Sequence, residues 1–224
     1  VGQYIGEVAG FAVGVAISPF PVIAVILMLF TPRARVNGPV FALGWIVALV
    51  LVSGVAFTLA DAGAASTSAG TADTIAWGKV VFGVALLAMA ARTWRGRPPP
   101  GQVAPMPAWM TSTDSLTAGK ALISGFLLAG ANPKNLMLSV AAGSSLASVG
   151  ATGGDAVVSL VVFVALASLT ILGPVVYYLV GGTRAERALG ELKQWIGIHN
   201  AAVMAVLLVI FGVDLLFNGL GVLA

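Results

Sequence analysis

A chain of 224 residues that is 59% hydrophobic and only 8% charged, with a mean hydropathy of +1.03, could not keep the surface of a soluble domain solvated. Its formal net charge of +3 gives no ground for a nucleic-acid partner, and the absence of cysteine excludes a thiol relay, a disulfide framework and a thiolate metal site. What remains is an integral membrane protein, in which each apolar run of about 20 residues is long enough to cross the hydrocarbon core.

The first such run is 5–30. It lacks a basic leading region and is too long for a signal peptide, so it is expected to be a retained span. Gly2, Gly6, Gly10 and Gly14 recur every four residues along it and predict a smooth stripe, either for tight helix packing or for a sliding or dimer seam. Ser18-Pro19-Phe20-Pro21 interrupts the run, because proline removes a backbone donor and clashes with the preceding turn. Thr31-Pro32-Arg33-Ala34-Arg35 and Asn37-Gly38 lead into a second span over 38–60, which contains Gly44-Trp45. A third span covers 74–92. The linker 93–115 holds Pro98, Pro99, Pro100, Pro105 and Pro107 and predicts a semi-rigid extended spacer.

The fourth span, 118–142, carries small residues at Ala121, Gly125 and Ala129 and is interrupted by Asn132-Pro133-Lys134-Asn135. The fifth, 155–181, contains Gly173-Pro174, expected as a simple kink. Over 184–198, Ala185, Leu189, Leu192 and Ile196 recur at helical spacing among charges, predicting an interfacial amphipathic helix with Trp195 at headgroup level. The sixth span is 200–221, with His199 beside Asn200 expected as a cap at its start. These spans leave no room for a soluble catalytic domain. No nucleophile elbow, phosphate loop or dinucleotide fingerprint occurs, so neither an enzyme nor a cofactor is expected, and metal transport is poorly supported.

The placement of charge predicts orientation. Nine of the eleven basic residues (Arg33, Arg35, Arg92, Arg95, Arg97, Lys120, Arg184, Arg187 and Lys193) fall in or flank the three loops that six spans put on one side. The opposite loops hold Asp61, Asp73 and Asp155 and no lysine or arginine. The positive-inside rule then puts both termini outside the cytoplasm. Contact with anionic membrane lipid is the secondary meaning of such a basic side.

The two halves, 1–92 and 116–224, look duplicated. Val80–Leu87 reads against Val209–Leu216 at an offset of 129, and Pro19 against Pro133 at an offset of 114. Three spans per half is an odd number, so the second half must be inverted. The expected fold is therefore an all-α membrane protein of six helices in a three-plus-three inverted repeat, with helices 1 and 4 broken. Broken helices at matching positions point to a binding site.

Four charges fall inside apolar spans: Lys134 and Asp214 near mid-bilayer, Glu7 and Lys79 toward the outer face. Inserting a mid-span charge costs about 2.5–3.5 kcal/mol, so each wants a partner or a polar cavity. Depth alone suggests the pairs Lys134 with Asp214 and Glu7 with Lys79. The central pair reads as a coupling site or as a static bridge. The outer pair reads more readily as static, since both can snorkel. Asn132, Asn135 and Ser18 can repair the broken helices or bind substrate.

Ser18-Pro19-Phe20-Pro21, Thr31-Pro32-Arg33-Ala34-Arg35 with Asn37-Gly38, Gly44-Trp45 and Gly130-Ala131-Asn132-Pro133-Lys134-Asn135-Leu136 together resemble the GAP/Sap family. Its members are the peptidoglycolipid- and sulfolipid-addressing proteins of actinobacteria, within the LysE exporter superfamily. The resemblance runs over nearly the whole chain. It implies an inner-membrane secondary transporter that exports, or helps to translocate, a glycolipid or peptidoglycolipid to the cell envelope. The site would lie where Ser18, Pro19, Phe20, Pro21, Asn132, Pro133, Lys134 and Asn135 meet, with Asp214. The resemblance also implies homodimerisation, membrane-lipid contact, ion-gradient coupling and dependence on a larger lipid transporter. The alternatives are a LysE/RhtB-like exporter of amino acids or small metabolites and a non-transporting accessory subunit. In the amino-acid exporters the first break usually reads Pro-Gly-Pro, and the bulky Phe20 argues against a small polar substrate.

Overall fold

A computed structural model describes residues 2–64, 69–97, 99 and 117–223. Every regular element among the described residues is a helix: α1 Gly2–Ala16, α2 Pro19–Leu29, α3 Ala34–Ala64, α4 Ala69–Arg95, α5 Ala118–Gly130, α6 Pro133–Ser148 and α7 Gly153–Leu223. Among them, α3 over Ala34–Gly63 and α7 over Gly153–Leu192 are each long and apolar enough to cross a membrane. The pair α1 and α2 qualifies together as one span bent by 58°.

Both proline-bearing runs are broken where the sequence predicts. Pro19 and Pro133 each sit at the first position of a new helix, a position that needs no N–H donor within that helix. Ser18 is the cap residue before Pro19, with φ −124° and ψ 93°, and Asn132 is the cap residue before Pro133, with φ −69° and ψ 118°. The fourth run continues beyond its expected end, to Ser148.

Gly182 alone interrupts α7, with φ 52° and ψ −139°, a conformation that side chains with a Cβ rarely adopt. The expected amphipathic stretch follows without a gap into the expected sixth span. His199 therefore lies inside a helix, with no helix end to cap. Pro174 is accommodated within α7. The prolines expected to form the linker lie mostly in 100–116, outside the described residues, while its first residues extend α4 to Arg95.

Compactness divides the chain into two units, which cross the boundary between the sequence halves. The first comprises Val1–Asp61 and Pro105–Gly197. Within it α1 packs antiparallel along α6, and α2 packs on α5. The third helix crosses α5 where Gly44 and Gly125 face each other. A Cβ on Gly44 would run into the Leu122 carbonyl, and one on Gly125 into the Phe41 carbonyl. Only glycine lets the backbones come this close. Phe41 and Trp45, both fully buried, fill the space around the crossing.

The small residues of the two runs thus have different fates. Ala121, Gly125 and Ala129 are buried on α5. Gly2, Gly6 and Gly10 point into open space, and α1 instead packs through Val8, Ala12 and Val15. Gly14 alone of the four expected stripe glycines is buried, so the packing stripe fails at Gly2, Gly6 and Gly10, because the 100° step per residue gives the buried face to Val8, Ala12 and Val15.

The second unit comprises Ala62–Ala104 and Ile198–Ala224. Leu86, Ala90, Leu208 and Phe211 form its core. The segments matched at an offset of 129 lie against each other here. A Cβ on Gly83 would stand 2.8 Å from the Gly212 carbonyl oxygen, and one on Gly212 3.0 Å from that of Gly83.

Candidate functional site

Pro19 and Pro21 cannot donate to the carbonyls four residues earlier, so Val15 and Ile17 lose their ordinary helical partners. A helix end leaves its last carbonyls unpaired in any case, and in hydrocarbon each must find a donor. At this break every one does. Val13 accepts from the Ile17 amide at 3.0 Å, and Ser18 from the Val22 amide at 3.3 Å. Lys134 Nζ donates to Gly14 at 2.6 Å and to Ile17 at 2.9 Å. Ser18 Oγ reaches Val15 at 2.6 Å and Asn135 Oδ1 at 2.9 Å, its single proton shared between them. Thr170 Oγ1 donates to Ala16 at 2.7 Å, and the Ser18 amide donates to the same oxygen at 2.9 Å.

Lys134 is only 2% exposed. Its backbone starts α6, where the Lys134 amide donates to Asn132 Oδ1 at 3.1 Å. Its ammonium is carried away from that positive helix end to the negative end of α1, where a cation is favoured. No carboxylate joins it among the described residues, so both acceptors are neutral carbonyls. Asn135, fully buried, uses its amide group to donate to Leu128 in the last turn of α5 at 3.1 Å and its oxygen to accept from Ser18. One residue thereby ties the two breaks together.

The two breaks differ. Ser18, Pro19 and Pro21 are buried and Phe20 is half-buried, whereas Ala131 and Pro133 are exposed and Asn132 half-buried. Among the described residues no side chain reaches the Ala129 carbonyl, which Pro133 leaves without its helical donor. The first break is therefore a closed polar knot, and the second opens onto the surface.

Of the residues singled out from sequence, Ser18, Asn132, Lys134 and Asn135 meet directly. Glu7 is exposed and accepts from Ser145 Oγ at 3.0 Å, near the far end of the α1–α6 seam. The side chains of Lys79 and Asp214 lie outside the described residues, and with them both expected ion pairs.

Thr170 was missed from sequence, as were the buried hydroxyls of Ser139 and Ser168, which find no partner among the described residues. The available signal was Pro174. It deprives Thr170 of a backbone donor and so marks a second irregular helix near the first break. Ser139 lies one turn beyond Asn135 on the same face of α6.

A family model described as Sap, sulfolipid-1-addressing protein, matches residues 8–221. No curated protein and no solved structure matches the chain.

Proposed function

Because this chain belongs to the Sap, sulfolipid-1-addressing protein family, we propose that it is an inner-membrane secondary transporter that exports, or helps to translocate, a glycolipid or peptidoglycolipid to the cell envelope. The family supports a role in lipid export, and the apolar helices fit a membrane protein. The observation that carries the transporter reading is the buried Lys134 ammonium, bonded to the Ile17 carbonyl that Pro21 leaves without its helical donor and to the Gly14 carbonyl in the last turn of α1. The two carbonyls hold the ammonium without an opposite charge, and an anionic headgroup would add that attraction. Substrate can then replace them at Lys134, entering past the exposed second break, while its tail stays in lipid.

The proposed architecture is six spans in an inverted repeat with both termini outside the cytoplasm. Three observations support the inverted repeat, and the placement of the basic residues supports the orientation. Pro19 and Pro133 both open helices behind polar cap residues. The contacts α1 with α6 and α2 with α5 exchange with each other when α1 is matched to α5 and α2 to α6. The matched glycines Gly83 and Gly212 approach each other, as equivalent positions beside a two-fold axis do. A homodimer and a larger lipid transporter are the proposed partners.

The test follows labelled envelope glycolipid in cells lacking the protein, complemented with the native chain or with Lys134→Ala. Lipid should stay inside without the protein and reach the surface only with the native chain. Full restoration by Lys134→Ala would make the lysine structural and favour an accessory subunit. Normal lipid placement with accumulated free amino acids would favour the small-metabolite exporter.

A further inference from the structure

Where α7 turns at Gly182, a second group of side chains gathers that the transport reading leaves idle. Thr183, Arg184, Arg187, Ala188 and Glu191 line a cleft of about 200 Å³. On the opposite face Ala185 and Leu189 are buried, so this helix is seated on the first unit through its apolar side. A Cβ on Gly190 would come 3.8 Å from Phe30 Cζ, at the turn that leads into the exposed Arg33 and Arg35. Two separate connections therefore bring their arginines to one end of this unit.

Among the described residues neither Arg184 nor Arg187 forms an ion pair, although Glu191 follows Arg187 by one turn. The two guanidinium groups are three residues apart, on neighbouring turns of one helix face. Immediately before the turn the surface is apolar and open, at Val176, Leu179 and Val180, the last of them 79% exposed. Trp195, beyond the cleft, is 56% exposed. An apolar surface therefore adjoins an arginine- and hydroxyl-lined cleft, and the same helix carries an interface-seeking indole further along.

We propose that this cleft binds the phosphate of an anionic membrane phospholipid, whose acyl chains lie along Val176 and Val180. Guanidinium groups match phosphate oxygens in pairs of parallel bonds, and the Thr183 hydroxyl supplies a further donor. Glu191 offsets one of the two positive charges. The single net positive charge left suits a phosphodiester rather than a doubly charged monoester. The open apolar face directly before the turn selects a lipid over a soluble anion. This site is independent of Lys134 and of the identity of the exported lipid.

The test is native mass spectrometry of the full chain in detergent, with added phosphatidylglycerol or with phosphatidylcholine of the same acyl chains. Phosphatidylglycerol should bind about tenfold more tightly, and Arg184→Gln with Arg187→Gln should remove that preference. Arg184→Lys with Arg187→Lys should keep part of it, which shows that a loss in the Gln variant is not misfolding. Arg33→Gln with Arg35→Gln is the control and should change binding less than about twofold. Equal binding of the two lipids, an unchanged preference in the Gln variant at 184 and 187, or an equal loss in the control would each overturn the assignment. So would displacement of phosphatidylglycerol by millimolar inorganic phosphate alone, since that is the behaviour of a free-anion site.

Discussion

At the scale of single residues, Lys134 sets two opposed terms against each other. Replacing it by methionine removes a buried charge that costs about 2.5–3.5 kcal/mol to insert. It also leaves the Gly14 and Ile17 carbonyls without their donor, at about 1–3 kcal/mol each. The two terms nearly cancel, so Lys134→Met should change thermal stability in detergent little while abolishing surface delivery of lipid. A large loss of stability with retained delivery would mark the lysine as a structural tie. Its neighbours rank by what remains after each is removed. Thr170→Val should cost only about 1 kcal/mol, because the Ala16 carbonyl keeps the Ser18 amide. Ser18→Ala strips donors from both Val15 and Asn135 and should cost about 2 kcal/mol or more, read as the larger drop in unfolding midpoint.

At the scale of elements, the crossing of α3 and α5 rests on backbone meeting backbone. Gly125→Leu must push the helices apart and should destabilise by at least about 1–3 kcal/mol, the usual range for overpacking. Gly10→Ala is the matched control on α1. It meets open space and removes a flexible residue from a helix, so stability should hold or rise by roughly 0.5–1 kcal/mol. Thermal unfolding of the two variants in one detergent distinguishes them. Equal losses would mean that α3 and α5 do not approach in this way. Gly182 is a different kind of element boundary. Its φ of 52° ends the apolar limb of α7 and starts the amphipathic one, so Gly182→Val should be poorly tolerated although its surroundings are open.

At the scale of the whole molecule, orientation can be read cleanly because the chain has no cysteine of its own. Single cysteines at Asp61 and Asp155 should react with a membrane-impermeant maleimide in intact cells. Cysteines at Arg35 and Arg187 should react only after permeabilisation, as the positive-inside rule requires. The reverse labelling would invert the proposed topology and put the arginine-lined cleft on the outer leaflet.

Sequence by itself was enough for the membrane class, the helical content and both helix breaks. Hydropathy and proline are local properties, and a bilayer admits few ways to satisfy a backbone. It was also enough to single out Ser18, Asn132, Lys134 and Asn135, because polar groups in apolar runs are rare. The partners of those groups were not legible. Lys134 donates to two carbonyls of α1, an acceptor that every residue carries and that no sequence distinguishes, while the expected pairing with Asp214 falls outside the described residues. The outward turn of Gly2, Gly6 and Gly10, the Gly44–Gly125 crossing and the approach of Thr170 to Ala16 were hidden for a related reason. Each depends on the rotation of one helix about its axis relative to another. Only tertiary packing decides that angle, because an apolar helix in an apolar solvent has no intrinsic inside face.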